Sequence, residues 1–214
     1  TGATITIDQR DELLDFARRH NLWIISDEVY DRIIYGSEHV SFLGTGYDQV
    51  LLVNSFSKTF AMTGWRIGYI LSTNLEAMKQ LVKLQYYVTA CSNDAMQYAV
   101  LSAFEDAYDY PAQMTQEFLA RRNLICERLN AMPGVSCHIP EGAFYVFPKV
   151  EVPGMNSEEV AIELLKGGVL CSPGTAFGES GEGHLRFAYT IGREDISRGM
   201  DKVETVLNKL RDDA

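Results

Sequence analysis

The sequence lacks an excess of positive charge, because 19 lysines and arginines stand against 29 aspartates and glutamates, a formal net charge of −10. Proteins that bind nucleic acids usually carry a basic face, so this balance argues against a nucleic-acid partner. The 4 cysteines show no CxxC spacing and the 4 histidines are scattered, which predicts neither a disulfide framework nor a metal site. No apolar run approaches a membrane span and no signal peptide is visible. We therefore predict a cytoplasmic protein without a membrane partner.

The first part of the chain alternates between helical and strand patterns. Thr6 and Gln9 fit a capping box, and the apolar stripe after them predicts a helix that ends near His20. Continuous apolar runs predict three strands, the first two of them buried on both faces, at 22–26, 50–54 and 66–71. Periodic patterns predict three further helices, at about 75–89, 93–105 and 111–132. Strands that alternate with helices indicate an α/β fold with a mostly parallel sheet.

The character of the sequence changes at Pro133-Gly134, which ends the last of these helices. Short strands are predicted beyond it, at 135–139, 143–148, 169–172 and 184–190, and helices at 157–166 and 194–211. We therefore predict a larger α/β domain in residues 1–130 and a small α+β domain in residues 131–214.

One apolar segment keeps two positive charges, Lys58 and Arg66. Low-polarity surroundings disfavour the charged form of a lysine, so its amine can become a nucleophile near neutral pH. An arginine stays charged and suits a phosphate or a carboxylate. Asp27 follows the first predicted strand, and Ser55 follows the second strand shortly before Lys58. Because ligands of open α/β sheets collect at the carboxyl ends of the strands, we expect these side chains to meet at one sheet edge.

Each of these residues also has an ordinary structural interpretation when it is taken alone. Asp27 is suited to capping a helix over 28–34, and Tyr30 to packing in a core. Lys58 can extend its amine from an apolar surface, and Arg66 can form half of an ion pair. The joint spacing of these groups favours a shared site over separate structural roles.

A serine-nucleophile enzyme is the first alternative, because Ser55 and Lys58 satisfy the S-x-x-K pattern of penicillin-interactive enzymes. Those enzymes also need S-D-N and K-T-G elements. The chain offers Ser-Asn-Asp at 92–94, in the wrong order, and Lys-Thr-Phe at 58–60, without the glycine. This hypothesis also leaves Asp27 and Arg66 without a role, so it is the weaker one.

Several stretches together resemble one known family. They are DEVY at 27–30, SFSKTFAMTGWRIGY at 55–69, GAFYVFP at 142–148 and PGTAFGESGEGHLRFAY at 173–189. The sequence resembles the class I/II aminotransferases of pyridoxal-phosphate fold type I over essentially its whole length. The motif around the lysine is highly specific, whereas DEVY alone is weak. The resemblance implies that residues 1–130 are the C-terminal part of the family's large cofactor-binding domain, with its interdomain helix, and that 131–214 are its small domain.

The resemblance implies a role for three residues around the ring of pyridoxal 5′-phosphate. Lys58 would hold the cofactor as an internal Schiff base and serve as the catalytic residue. Asp27 would face the pyridinium nitrogen, whose protonated state a carboxylate favours. Tyr30 would donate a hydrogen bond to the ring hydroxyl.

The resemblance also implies two anion sites. Ser55 and Arg66 would bind the cofactor phosphate, with Ser57 as a weaker candidate, since fixed cations and hydroxyl donors suit a dianion. Arg186 would bind the α-carboxylate of the substrate, although alone it is equally well explained as a solvated strand residue. Strand alternation places it opposite Leu185 and Phe187.

The family implies amino-acid and 2-oxo-acid substrates, and a homodimer when the chain is full length. Other fold type I chemistries, such as C–S lyase or decarboxylase activity, share the motifs and stay open. A non-catalytic interaction role also stays open. Because the family's chains extend further at the N-terminal end, we expect this piece alone to show little or no transaminase activity.

Overall fold

The computed structural model describes residues 1–213, which pack as two compact units. The first unit is Thr4–Met114, and the second joins Thr1–Ala3 to the chain from Thr115 onward. The division falls inside helix α5 (Tyr110–Asn130), whereas the predicted boundary near residue 131 gave all of this helix to the first domain. The helix belongs mostly to the second unit because its apolar residues pack there: the ring of Phe118 lies 5.4 Å from that of Phe144.

The first unit contains a three-stranded sheet and four complete helices, followed by the first residues of α5. Its elements in chain order are α1 (Ile7–His20), β1 (Ile24–Asp27), β2 (Val50–Ser55), α2 (Phe56–Thr59), a 3₁₀ turn at Thr63–Trp65, β3 (Gly68–Leu71), α3 (Leu75–Thr89) and α4 (Asp94–Asp106). The predicted capping box is confirmed, since Gln9 N–H donates to Thr6 Oγ1 and Thr6 N–H to the Gln9 side chain.

The sheet has the strand order β1-β2-β3, with β1 parallel and β3 antiparallel to β2. The predicted burial of the first strand on both faces is wrong: Ile25 is 70% exposed, and Leu22 and Trp23 are exposed as well. Among the described residues β1 pairs along one edge only, with β2, and its alternate side chains point away from the packed face.

Two apolar clusters hold the first unit together. One joins α1 to β2 through Leu14, Phe42 and Val50. The other packs the segment after β2 against α4, with Phe56 and Phe60 each 5.6 Å from the ring of Phe104. This second cluster fixes the backbone on both sides of Lys58, which lies between the two phenylalanines.

The second unit packs small sheets against helices. After α5 it contains β4 (Val135–Ser136), β5 (Tyr145–Val146), β6 (Lys149–Val150), α6 (Ser157–Lys166), β7 (Ser172–Pro173), 3₁₀ turns at Gly174–Phe177 and Glu179–Gly181, β8 (Leu185–Ala188) and α7 (Arg193–Asp212). The strands pair in the orders β4-β6 and β5-β8-β7, and all pairs are antiparallel. Its core is the set of side chains with the lowest exposure: Leu129, Val146, Leu164, Leu185, Tyr189, Val203 and Leu207.

No helix within residues 1–213 is long and apolar enough to cross a membrane.

Candidate active site

The carboxyl ends of β1 and β2 lie at the same edge of the first unit's sheet. The strands run parallel with Asp27 opposite Val53, so Asp27 and Ser55 end adjacent strands. Helix α2 begins directly after Ser55 and carries Lys58, whose side chain is half-buried. The sequence predicted that Asp27, Ser55 and Lys58 meet at one edge, and this strand register provides the arrangement.

A hydroxyl pair marks the start of α2. Ser55 Oγ accepts a hydrogen bond from the backbone N–H of Ser57 at 3.1 Å and lies 2.8 Å from Ser57 Oγ. The Ser55 hydroxyl therefore serves as the N-cap of this short helix. Gly68 of β3 passes so close that a Cβ there would lie 2.6 Å from the carbonyl oxygen of Asn54. A glycine is required at this position because β3 approaches the strand end through its backbone.

Arg66 follows the 3₁₀ turn that comes after Lys58. Its backbone is left-handed, with φ 54°, and its Nη1 donates to the carbonyl of Thr63 at 2.8 Å. The Thr63 hydroxyl donates in turn to the carbonyl of Ser57 at 3.0 Å. The arginine is thus tied to α2 through Thr63, while its side chain remains exposed.

The segment after Asp27 forms turns instead of the helix over 28–34 that would have made Asp27 a helix cap. Asp31 N–H donates to the carbonyl of Glu28 at 3.0 Å, and Ile33 N–H donates to that of Tyr30 at 2.9 Å. The Asp27 carboxylate remains exposed, and its Oδ1 lies 3.4 Å from the N–H of Val29. Tyr30 is partly buried within the same turns.

A partly buried ion pair, which the sequence patterns did not predict, lies directly beside Asp27. Glu28 is only 6% exposed, and its Oε2 lies 2.6 Å from Nε2 of His39. Its Oε1 accepts hydrogen bonds from the hydroxyls of Ser26 and Ser41, each at 2.9 Å, and from the N–H of Phe42 at 3.3 Å. Strand alternation was the signal available in the sequence, since it places Ser26 and Glu28 on the same inward face as Ile24.

The pKa values of this pair shift in opposite directions. Burial tends to raise the pKa of Glu28, but hydrogen bonds from His39, the two serines and Phe42 together lower it below its ordinary 4.5. The hydrogen bond to Glu28 raises the pKa of His39 above its ordinary 6.5, although burial opposes this. The glutamate contribution to stability is present above pH 4.5 and is lost as pH falls through its folded pKa. The histidine contribution is complete below pH 6.5 and is lost as pH rises through its folded pKa.

The second unit presents Arg186 on β8. The predicted alternation is confirmed: Leu185 and Phe187 are buried, and Arg186 faces the other side. The guanidinium carbon lies 4.5 Å from the ring centre of Tyr145 and 4.1 Å from that of Phe177. Two aromatic faces at these distances hold a cation by electrostatic attraction and orient its plane.

Most of the chain matches one protein family. The sequence model described as Aminotransferase class I and II covers residues 1–203. The chain belongs to this family. Its similarity to solved structures confirms the predicted fold class, that of fold type I aminotransferases. It superposes with a TM-score of 0.92 on an aromatic aminotransferase from Pyrococcus horikoshii, at 38% identity, over 98% of this chain and 57% of that one. An aspartate aminotransferase from Thermus thermophilus with maleate gives a TM-score of 0.90 at 31% identity, over 97% of this chain and 54% of that one.

Two curated relatives of this chain are named for different substrates. Aromatic-amino-acid aminotransferase 2 of Thermococcus litoralis is 37% identical over 99% of this chain and 55% of its own length. The aspartate aminotransferase of Pyrococcus horikoshii is 37% identical over 97% of this chain and 54% of its own length. The chain therefore spans about half the length of the curated relatives it matches.

Proposed function

We propose that this chain is the lysine-bearing part of a pyridoxal-phosphate-dependent enzyme that moves an amino group between an α-amino acid and a 2-oxo acid. The observation that carries the proposal is the sheet edge at which Asp27 and Ser55 end parallel strands and Lys58 follows at once. The family to which the chain belongs supports transamination over the other chemistries that share these motifs.

The donor set at this edge fits pyridoxal 5′-phosphate. The cofactor has an aldehyde, a basic ring nitrogen, a ring hydroxyl and a phosphate, and each needs a different partner. Lys58 offers the amine that bonds the aldehyde, and the exposed carboxylate of Asp27 favours a protonated ring nitrogen. Tyr30 offers a phenol for the ring hydroxyl. When bound, the cofactor supplies an electron sink for the electrons of the substrate Cα–H bond.

The phosphate would be held by Ser55, Ser57 and Arg66. The two hydroxyls lie 2.8 Å apart at the start of α2, so both can face one anion. Arg66 adds a fixed positive charge on a turn that Thr63 ties to Ser57. A dianion prefers this combination of hydroxyl donors and a permanent cation.

Arg186 would bind the substrate carboxylate, and Lys58 would move the proton. The rings of Tyr145 and Phe177 hold the guanidinium plane, which suits a bidentate grip on a carboxylate. Lys58 Nζ would act as the general base for the substrate Cα proton, and the resulting ammonium would release that proton as a general acid. We further propose that the active protein is a homodimer, as the resemblance to the family implies.

Borohydride reduction in the presence of pyridoxal phosphate tests the cofactor assignment directly. Reduction fixes the bond between a lysine and the cofactor, so peptide mapping by mass spectrometry locates it. We expect the adduct on the peptide that contains Lys58, and we expect Lys58→Ala to abolish it. Lys79→Ala is the matched control, because Lys79 is an exposed lysine of the same unit.

The result that contradicts the proposal is an adduct spread over exposed lysines, or one that persists in Lys58→Ala. In a second assay, the 214-residue chain is mixed with an amino acid and a 2-oxo acid, and product formation is followed. Because relatives are about twice as long, we expect little or no turnover, and robust turnover would refute that expectation.

A further inference from the structure

We propose that Glu28 and His39 are positioning residues for Asp27 and Tyr30: their partly buried ion pair fixes the strand end and the turn that carry the two cofactor-ring contacts. The inference rests on the proposed function, because it assigns a purpose to the placement of Asp27 and Tyr30. Neither Glu28 nor His39 touches the cofactor in this proposal.

The first argument is where Glu28 lies. It directly follows Asp27, and its N–H donates to the carbonyl of Val53 at 2.8 Å, which extends the pairing of β1 with β2 by one bond. Its carbonyl accepts the N–H of Asp31 and so closes the first turn after the strand. The backbone of Glu28 thus joins the rigid sheet to the turn that contains Tyr30. A shift of this backbone would therefore displace both Asp27 and the turn that contains Tyr30.

The second argument is how completely the side chain is held. Four donors surround the buried carboxylate: His39, Ser26, Ser41 and the N–H of Phe42. Three of these donors come from one segment, 39–42. His39 in this segment is eleven residues from Glu28 along the chain, and the loop between them brings it back to the strand end. Phe42 anchors that segment in the core beside Leu14 and Val50. The carboxylate is therefore fixed between the sheet and a loop that is itself packed down.

The third argument is that the buried charge of Glu28 is costly, and that a fixed geometry at the strand end accounts for it. Burying a carboxylate is costly unless it is paired and fully hydrogen-bonded, and an apolar residue would serve the core equally well. A charge-assisted pair is directional, so it holds one geometry where apolar packing tolerates several. The other charged groups that act on His39 are Asp31 and Arg32, on the same turns, and Tyr69 of β3 experiences the same charges.

The experiment uses Glu28→Gln and His39→Ala in the 214-residue chain. Glu38→Gln and His138→Ala are the matched controls, because Glu38 and His138 are exposed. The first measurement is amide hydrogen exchange at residues 28–33, compared with the β1–β2 amides. The second is the dissociation constant of pyridoxal phosphate, from the visible band of the lysine-bound cofactor, well below each variant's melting temperature.

We expect both variants to speed exchange at 28–33 and to weaken cofactor binding by about tenfold or more, since small displacements of a site are costly. The controls should match the wild type in both measurements. A purely structural role would lower the melting temperature but leave the dissociation constant of the folded protein unchanged. Wild-type exchange and wild-type affinity in both variants would overturn the inference.

The outcomes separate this inference from the proposed function. If the wild-type chain forms no cofactor adduct at Lys58, the proposed function fails, and hydrogen exchange alone decides whether the pair holds the turn. If Glu28→Gln does not fold, His39→Ala decides, because the His39 side chain is 29% exposed and is not one of the core residues.

Discussion

Alanine at Gly174 should destabilise the second unit, because the two 3₁₀ turns before β8 approach each other through glycine backbones. A Cβ at Gly174 would fall inside the contact distance of the Gly181 carbonyl oxygen, and it would lie 2.8 Å from the carbonyl oxygen of His184. Gly181 is related to Gly174 in the same way, so the approach is reciprocal. The turn also carries Phe177, whose ring lies over Arg186. The buried glycines of these two turns therefore serve close packing.

The magnitude follows from the kind of atoms that clash. Non-bonded heavy atoms are most stable at a separation of about 3.5 Å. The carbonyl oxygens of Gly181 and His184 both belong to the backbone, so neither can rotate away from the added Cβ. Overpacking of this kind costs about 1–3 kcal/mol, and we expect the upper end for Gly174→Ala. For a chain of this length that corresponds to a melting temperature lower by about 6–12 °C.

Gly199→Ala is the matched control, since Gly199 lies in α7 and a Cβ there would meet nothing within 4 Å. It should instead stabilise the chain by about 0.5–1 kcal/mol, because alanine restricts the unfolded chain more than glycine does. Urea denaturation and thermal melting, both followed by far-ultraviolet circular dichroism, measure the two variants. A Gly174→Ala variant within about 0.5 kcal/mol of the wild type would refute the packing argument.

Three further changes test other parts of the structure. Tyr189→Phe removes the hydroxyl that donates to the Ala143 carbonyl at 3.1 Å in a fully buried setting, and should lower the free energy of unfolding in urea by about 1–3 kcal/mol. Thr6→Ala removes the capping box of α1 and should cost about 1 kcal/mol in the same assay, so an unchanged midpoint would contradict its role. Glu28→Gln should flatten the pH dependence of stability: in the wild type the pair with His39 should contribute most between pH 4.5 and 6.5, where both of its members are charged. Melting temperatures from pH 4 to pH 8 check this, and an equally curved profile in the variant would count against the pair.

Local signals in the sequence predicted the helices well. The capping box, the stripe after it and the pattern at 75–89 each match a helix of the structure, because helix hydrogen bonds and caps are formed by residues near in sequence. Strands were less well defined: the predicted strand at 135–139 is only Val135–Ser136, and that at 143–148 only Tyr145–Val146. A strand's length depends on its partner, which an apolar pattern does not specify.

The residues of the candidate site also differ in how well the sequence predicted their positions. Lys58, Asp27 and Ser55 were predictable because each sits where a recognisable strand ends, and open sheets collect function at those ends. The role of His39 was not predictable, because its contact with Glu28 depends on the loop that connects them, and the two residues are eleven apart in the chain. The aromatic contacts of Arg186 likewise join β8 to residues in a strand and a turn elsewhere in the unit.

The sequence by itself determined most of the helices, the family and the candidate site residues, because helical periodicity, caps and motif spacing are local properties of the chain. Tertiary structure decided which strands pair and in what direction, and where α5 belongs. It also decided which acidic residue is buried as an ion pair and which remains exposed beside it. The physical reason is that burial and pairing depend on atoms brought close by packing, whose separation along the chain carries no information about their distance in space.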